Sequence, residues 1–168
     1  MRFRSPLWAE RMGRAFAMSI FFAAFSGCPA LADVTSDVVR VFELSEKLRP
    51  GMNVEALNGL LGQPAEEYRM SGKASGTVRY QWLHGPMGVI AYDVEGSAYR
   101  IDIILPCHSA SNATQALGAF TREGKARYAA MPRFDQKKSQ YYWTRDGVRF
   151  AFSKYNSTTV QSSCTLAR

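Results

Sequence analysis

The stretch TVRYQWLHGPMGVIAYDVEGSAYRIDIIL, residues 77–105, decides the fold. Val78, Tyr80 and Trp82 alternate with Thr77, Arg79 and Gln81, the period-two pattern of a strand with one buried face. His84-Gly85-Pro86 reads as a loop, Val89 to Val94 as a second strand, and Glu95-Gly96-Ser97 as a tight turn. Tyr99, Ile101, Ile103 and Leu105 then mark the inner face of a third strand. Three successive strands with such short turns must form an antiparallel meander, because a parallel crossover needs a dozen or more residues.

Upstream, Asp33 to Leu48 reads as a helix that Ser36 can cap, with Val38, Val41, Phe42, Leu44 and Leu48 near helical spacing. Arg49-Pro50-Gly51 breaks it. Asn53 is a good cap for a short second helix, Val54 to Leu61, in which Leu57, Leu60 and Leu61 share a face. Gly62 fits a left-handed C-terminal position and Pro64 blocks continuation. Two helices joined by so short a break should form an αα corner.

The second half repeats part of this order. Asn112 can cap a helix through about Phe120, while Ala126 to Lys138 reads as irregular. Tyr141 to Thr144 is a strand, Arg145-Asp146-Gly147 a turn, and Val148, Phe150 and Phe152 alternate cleanly. After a turn at Asn156 to Thr159, Val160 to Leu166 closes the sheet and carries Cys164. The pattern predicts an α+β fold, a helix pair packed on an antiparallel β-sheet. Tyr80-Gln81-Trp82 with Gly88-Val89 resembles Tyr141-Tyr142-Trp143 with Gly147-Val148 at an offset of 61 residues, which leaves open two fused αβ units. Their expected bounds are 33–106, a helix-turn-helix plus three strands, and 107–168, a further helix plus three strands.

Residues 1–32 read as an export signal. Arg2, Arg4, Arg11 and Arg14 make a basic start, Ala15 to Phe25 is uncharged and apolar, and Ala30-Leu31-Ala32 offers a cleavage site before Asp33. The apolar run is too short to span a bilayer, which takes about 20 residues. A periplasmic or secreted protein of the bacterial envelope is expected. The alternative uses Phe25-Ser26-Gly27-Cys28 as a lipoprotein box, which would acylate Cys28 and anchor the chain at the outer membrane.

Residues 33–168 carry a net charge of +4, divided as −3 over residues 33–106 and +7 over residues 107–168. Outside the inner membrane a basic half would meet lipid headgroups, lipopolysaccharide or acidic protein surfaces, and nucleic acid is not expected. Two cysteines remain in either form of the leader, Cys107 and Cys164, and an isolated pair in an oxidising compartment predicts one disulfide.

Catalytic signatures do not emerge from the sequence. There is no phosphate-binding glycine loop and no nucleophile elbow. His84 and His108 are the two histidines of the chain, and Cys107 beside His108 would point to the opposite face of an extended segment. No metal set, cofactor or enzyme activity is therefore predicted, with an envelope hydrolase of unrecognised site as the rival reading. The aromatic supply is the stronger signal. Tyr141, Tyr142 and Trp143 are consecutive, so alternation sends Tyr142 away from its neighbours, and Arg145 and Arg149 follow. Tyr142, Trp143, Arg145 and Arg149 are the expected partner-binding residues, suited to another envelope protein with an acidic surface.

Leu48-Arg49-Pro50-Gly51-Met52-Asn53 with Leu60-Leu61-Gly62-Gln63-Pro64 resembles small outer-membrane lipoproteins of the BamE (SmpA/OmlA) type. In that family such a segment forms the αα corner before a strand with a Tyr-x-Trp/Tyr element, and Tyr80-Gln81-Trp82 stands at that place. The resemblance covers about residues 38–105 and implies structural roles for Gly51, Gly62 and Trp82. The same unit used twice is similar to the secreted β-lactamase inhibitory protein fold. Both resemblances imply a non-enzymatic protein that grips another protein, with membrane contact only in a lipidated form.

Overall fold

The computed structural model describes residues 34–167; the leader, the Ala32/Asp33 junction and Cys28 lie outside them. Helices α1 (Val34–Lys47) and α2 (Val54–Leu61) come first. Strands β1 (Glu66–Arg69), β2 (Thr77–His84), β3 (Met87–Val94) and β4 (Ser97–Pro106) follow. Helix α3 (Ala110–Tyr128) precedes β5 (Arg133–Asp135), β6 (Gln140–Arg145), β7 (Val148–Asn156) and β8 (Thr159–Leu166). All eight strands join one antiparallel sheet in the order β1-β2-β3-β4-β8-β7-β6-β5. Each half of the chain thus supplies a four-stranded meander, and the two meet where β4 pairs with β8, Ile101 opposite Cys164 and Leu105 opposite Val160.

The α+β architecture is as the hydrophobic pattern predicts, with four strands per half where the sequence indicated three. The additional strands, β1 and β5, are the sheet edges. They carry Glu66-Glu67-Tyr68-Arg69 and Arg133-Phe134-Asp135, with no apolar alternation to reveal them. Charge at an edge is itself useful, because it discourages pairing with another chain. Helix α3 is likewise longer than expected, running to Tyr128 and capped by Ser109, whose Oγ accepts from the Asn112 amide at 3.0 Å. Asn112 lies one turn inside it. Ser36, read as the cap of the first helix, stands inside α1.

The helices cover one face of the sheet. Trp82, Val89, Ile101, Ile103, Phe150, Phe152 and Val160 point into the core from the strands, and Val38, Val41, Phe42, Leu48, Leu57, Ala116 and Phe120 meet them from the helices. Phe42 of α1 packs on aromatics of the second half, with ring centroids 4.8 Å from Phe150 and 5.6 Å from Phe120. Arg127 of α3 ties the helices at the surface, contacting Glu46 at 2.7 Å and Glu123 at 2.6 Å.

Among the described residues the two tryptophans occupy matching places. Trp82 lies on the second strand from one edge and Trp143 on the second from the other, each on the core face. The Trp82 indole N–H donates to Gly62 O at 3.0 Å and Asn58 Oδ1 at 3.1 Å, at the end of α2. The Trp143 indole N–H donates to Ala130 O at 2.9 Å, just past α3. Each ring therefore fills the core and satisfies a carbonyl beyond a helix end.

Helix α2 has the bounds read from the sequence, with Asn53 Oδ1 accepting from the Ala56 amide at 2.9 Å. Its stop is subtler. Gly62 has φ +84° but ψ −167°, an extended positive-φ conformation that essentially glycine alone adopts, not the left-handed helical one expected. Leu60, expected on the buried face with Leu57, is exposed. Tyr99 is also exposed, because a bulge at Tyr92/Asp93 shifts the β4 parity and buries Ala98 instead.

Gly124 of α3 is packed so closely on Trp143 that a Cβ there would stand 2.3 Å from Cη2 of the indole. Gly124→Ala should therefore destabilise the protein by about 1–3 kcal/mol through overpacking, although alanine favours helices. Thermal unfolding checks this, and a melting temperature equal to or above the parent would refute it. Gly62→Val should cost roughly 1 kcal/mol or more through the forced positive φ.

Candidate functional site

The sheet face opposite the helices has no layer upon it among the described residues. Alternation assigns its side chains: those flanking Trp82, Ile101, Phe150 and Cys164 point the other way. Backbone pairing then places Tyr68, Arg79, Tyr92, Arg100, Thr165, Arg149 and Thr144 in one row across seven strands. Each arginine of this row is stacked on a tyrosine and paired with a carboxylate.

Arg79 lies 5.5 Å from the Tyr68 ring centre and 3.8 Å from Glu66. Arg100 lies 5.3 Å from the Tyr92 ring and holds Asp102 by two contacts of 2.7 Å, through Nε and Nη2. Arg149 lies 3.8 Å from the Tyr142 ring and donates to Asp135 Oδ2 at 2.8 Å. Gln161 of β8 adds a bond of 2.7 Å to Asp102 Oδ2.

Asp102 sits next to the β4–β8 seam with its side chain only 2% exposed, while Arg100 above it is 40% exposed. Burial pushes the Asp102 carboxyl above its usual range, and the Arg100 contacts pull against that. Burial opposes the Arg100 charge, but its hydrogen bonds to Asp102 outweigh that and its pKa rises. Tyr92 is raised by burial first and by Asp102 second. At the outer end, the hydrogen bond from Arg149 draws Asp135 below the ordinary carboxylate value. What the arrangement offers chemically is a set of guanidinium donors held in place, each over a single tyrosine ring.

The structure separates the expected binding residues. Tyr142 and Arg149 come together on the open face as alternation required. Trp143 does not: it is 5% exposed, held between α3 and the sheet, and cannot anchor a partner. Arg145 is the last residue of β6, opposite Val148 and paired with Asp146 at 3.5 Å. The residues missed from the sequence are Tyr68, Arg79, Tyr92, Arg100, Asp102, Asp135 and Gln161. The alternation of Arg100 and Asp102 with Ile101 and Ile103 was a readable signal for two of them.

The predicted disulfide is overturned. Cys107 and Cys164 are both free and buried. The Cys107 amide donates to Thr158 O, whereas Cys164 lies opposite Ile101, six positions further along β8. At about 3.4 Å per residue the two are roughly 20 Å apart, far beyond the span a disulfide bridges. Strand register, invisible to cysteine counting, keeps them apart.

His84 lies at the end of β2 by a shallow hollow shared with Arg40, Glu43, Lys47 and Met87, while His108 follows β4 with φ +61°. Among the described residues no cluster of three or more His, Cys, Asp or Glu could hold a metal ion. Among them also, no helix is long and apolar enough to cross a membrane, which leaves strands unaddressed. No protein-family model, curated protein or solved structure matches the chain.

Burial pushes the Cys164 thiol and the Tyr128 phenol each up to about 12, from ordinary values of 9.0 and 10.0. Between those values and about 12 the unfolded chain loses protons that the folded chain keeps, so stability must fall as pH rises through that window. Urea titrations from pH 8 to 12 should show this loss, and Cys164→Ala should flatten its part of the slope by a few kcal/mol. Cys107 and Cys164 should both resist iodoacetamide at pH 8 in the folded protein and both react in denaturant. Peptide mapping that found them joined in the native protein would contradict the register.

Proposed function

We propose that this chain is an exported, non-enzymatic protein-binding module of the bacterial cell envelope, acting as an inhibitor, immunity-like protein or assembly accessory. The observation that carries the reading is the uncovered sheet face, where arginines are stacked on tyrosines and fixed by carboxylates. Arginine and tyrosine dominate the energetics of protein interfaces because they offer large contact area with few rotamers to lose. Holding the guanidinia in place before binding removes part of the ordering cost. The leader and the resemblance to BamE-type and β-lactamase inhibitory proteins support an envelope setting, with Asp33 the proposed first residue of a soluble mature form.

The test compares variants, because capture alone would not locate the interface. The partner retained by the parent protein from an envelope extract should bind Tyr142→Ala and Arg149→Ala at least tenfold more weakly, with folding unchanged by circular dichroism. Normal binding by both, with loss on substitution around His84 to Met87, would move the interface to the hollow beside α1 and refute the open-face reading.

A further inference from the structure

The regular spacing of the arginine row deepens that reading and rests on it. Arg79 is on β2, Arg100 on β4 and Arg149 on β7, so two strand steps separate each from the next. At about 4.8 Å per step, their Cα atoms recur roughly every 10 Å along a line crossing the strands. Tyr92 fills the position between the first two and Thr165 the position between the last two. The middle residue, Arg100, sits at the seam between the two halves of the chain.

The geometry points to a receptor for carboxylates: a folded protein partner lays a line of Asp or Glu side chains across the strands, and Arg100 is its central contact. A guanidinium has five N–H donors and no acceptor. Asp102 takes two donors of Arg100 from below, which fixes the plane of the group and leaves its other edge to the open side. Asp102 and Gln161 are positioning residues, since Asp102 is sealed beneath Arg100. Arg79 Nε and Arg149 Nε find no acceptor within the protein but are themselves buried, so a partner's carboxylates would meet these two guanidinia at their Nη groups. Charge points to carboxylates rather than a dense polyphosphate or a lipid surface. The row holds three discrete cations with no lysine, and Glu66, Asp102 and Asp135 stand beside them. A continuous polyanion would meet those carboxylates as well, whereas single acidic side chains can settle on each guanidinium.

A helical peptide with glutamates at every seventh position repeats its carboxylates at about 10.5 Å and is a suitable probe. Titrated into the full protein, it should shift the Arg79, Arg100 and Arg149 Nε–Hε resonances, whereas its glutamine counterpart should not. Arg100→Gln should weaken binding at least tenfold. Arg100→Lys should weaken it by threefold or more, because lysine keeps the charge but not the two-point hold. Arg79→Gln, whose Glu66 partner is partly exposed, provides the same reading if Arg100→Gln fails to fold. Equal binding of the two peptides, unchanged affinity in every folded variant, or displacement of the peptide by phosphatidylglycerol vesicles would overturn the receptor. If Tyr142→Ala releases the captured envelope partner while Arg100→Gln and Arg79→Gln retain it, the carboxylate receptor falls and the binding face stands. If Tyr142→Ala and Arg149→Ala also retain it, both fall.

Discussion

The β4–β8 ladder is the interaction on which the rest of the structure depends. It converts two four-stranded meanders, each with an unpaired edge, into one sheet broad enough for three helices. Without it neither half has a sufficient core. Phe42 of α1 reaches across to Phe150 and Phe120, and Cys164 of β8 lies beneath Ser45 of α1, so the apolar interior belongs to both halves at once. A small unit buries too little of its own surface to be robust, and fusion across a strand pair solves this without a covalent link.

The same seam shapes the open face. Asp102 and Gln161 come from the two pairing strands, and their bond crosses the junction directly under Arg100. A sealed carboxylate is costly unless its oxygens are matched, and here Arg100 and Gln161 both donate to it. Its contribution is better understood as orientation than as stability. The guanidinium above it lies over the Tyr92 ring, 5.3 Å from its centre, and the face gains a fixed donor where it could have carried a mobile charge.

Much of the architecture is written in local patterns. Period-two alternation from Val78 to Trp82 and from Val148 to Phe152 marks real strands, and Asn53 with Gly62 delimits α2 as expected. The prediction that Tyr142 faces away from Tyr141 and Trp143 also follows from alternation alone. What alternation cannot give is which strands meet. Register decides that Cys107 and Cys164 stand far apart, and it aligns Arg79, Arg100 and Arg149, residues spread over seventy positions of sequence. Trp143 misled because an aromatic next to arginines looks like an interface until the bare backbone of Gly124 is seen to receive it. Strands β1 and β5 escaped notice because edges are selected for charge, which erases the signature of a strand.

The seam also constrains the order of folding. β8 is the last of the eight strands to appear along the chain, yet it lies at the middle of the sheet. Helix α1, the first described element, packs against aromatics contributed by β7. Such sequence-distant pairing makes for high contact order and slow assembly, because loop-closure entropy must be overcome before the contacts form. A chain still lacking β8 would hold its first meander with β4 exposed and the aromatic cluster unassembled. Completion of the core therefore waits until β8, the last strand made, has taken its place at the centre of the sheet.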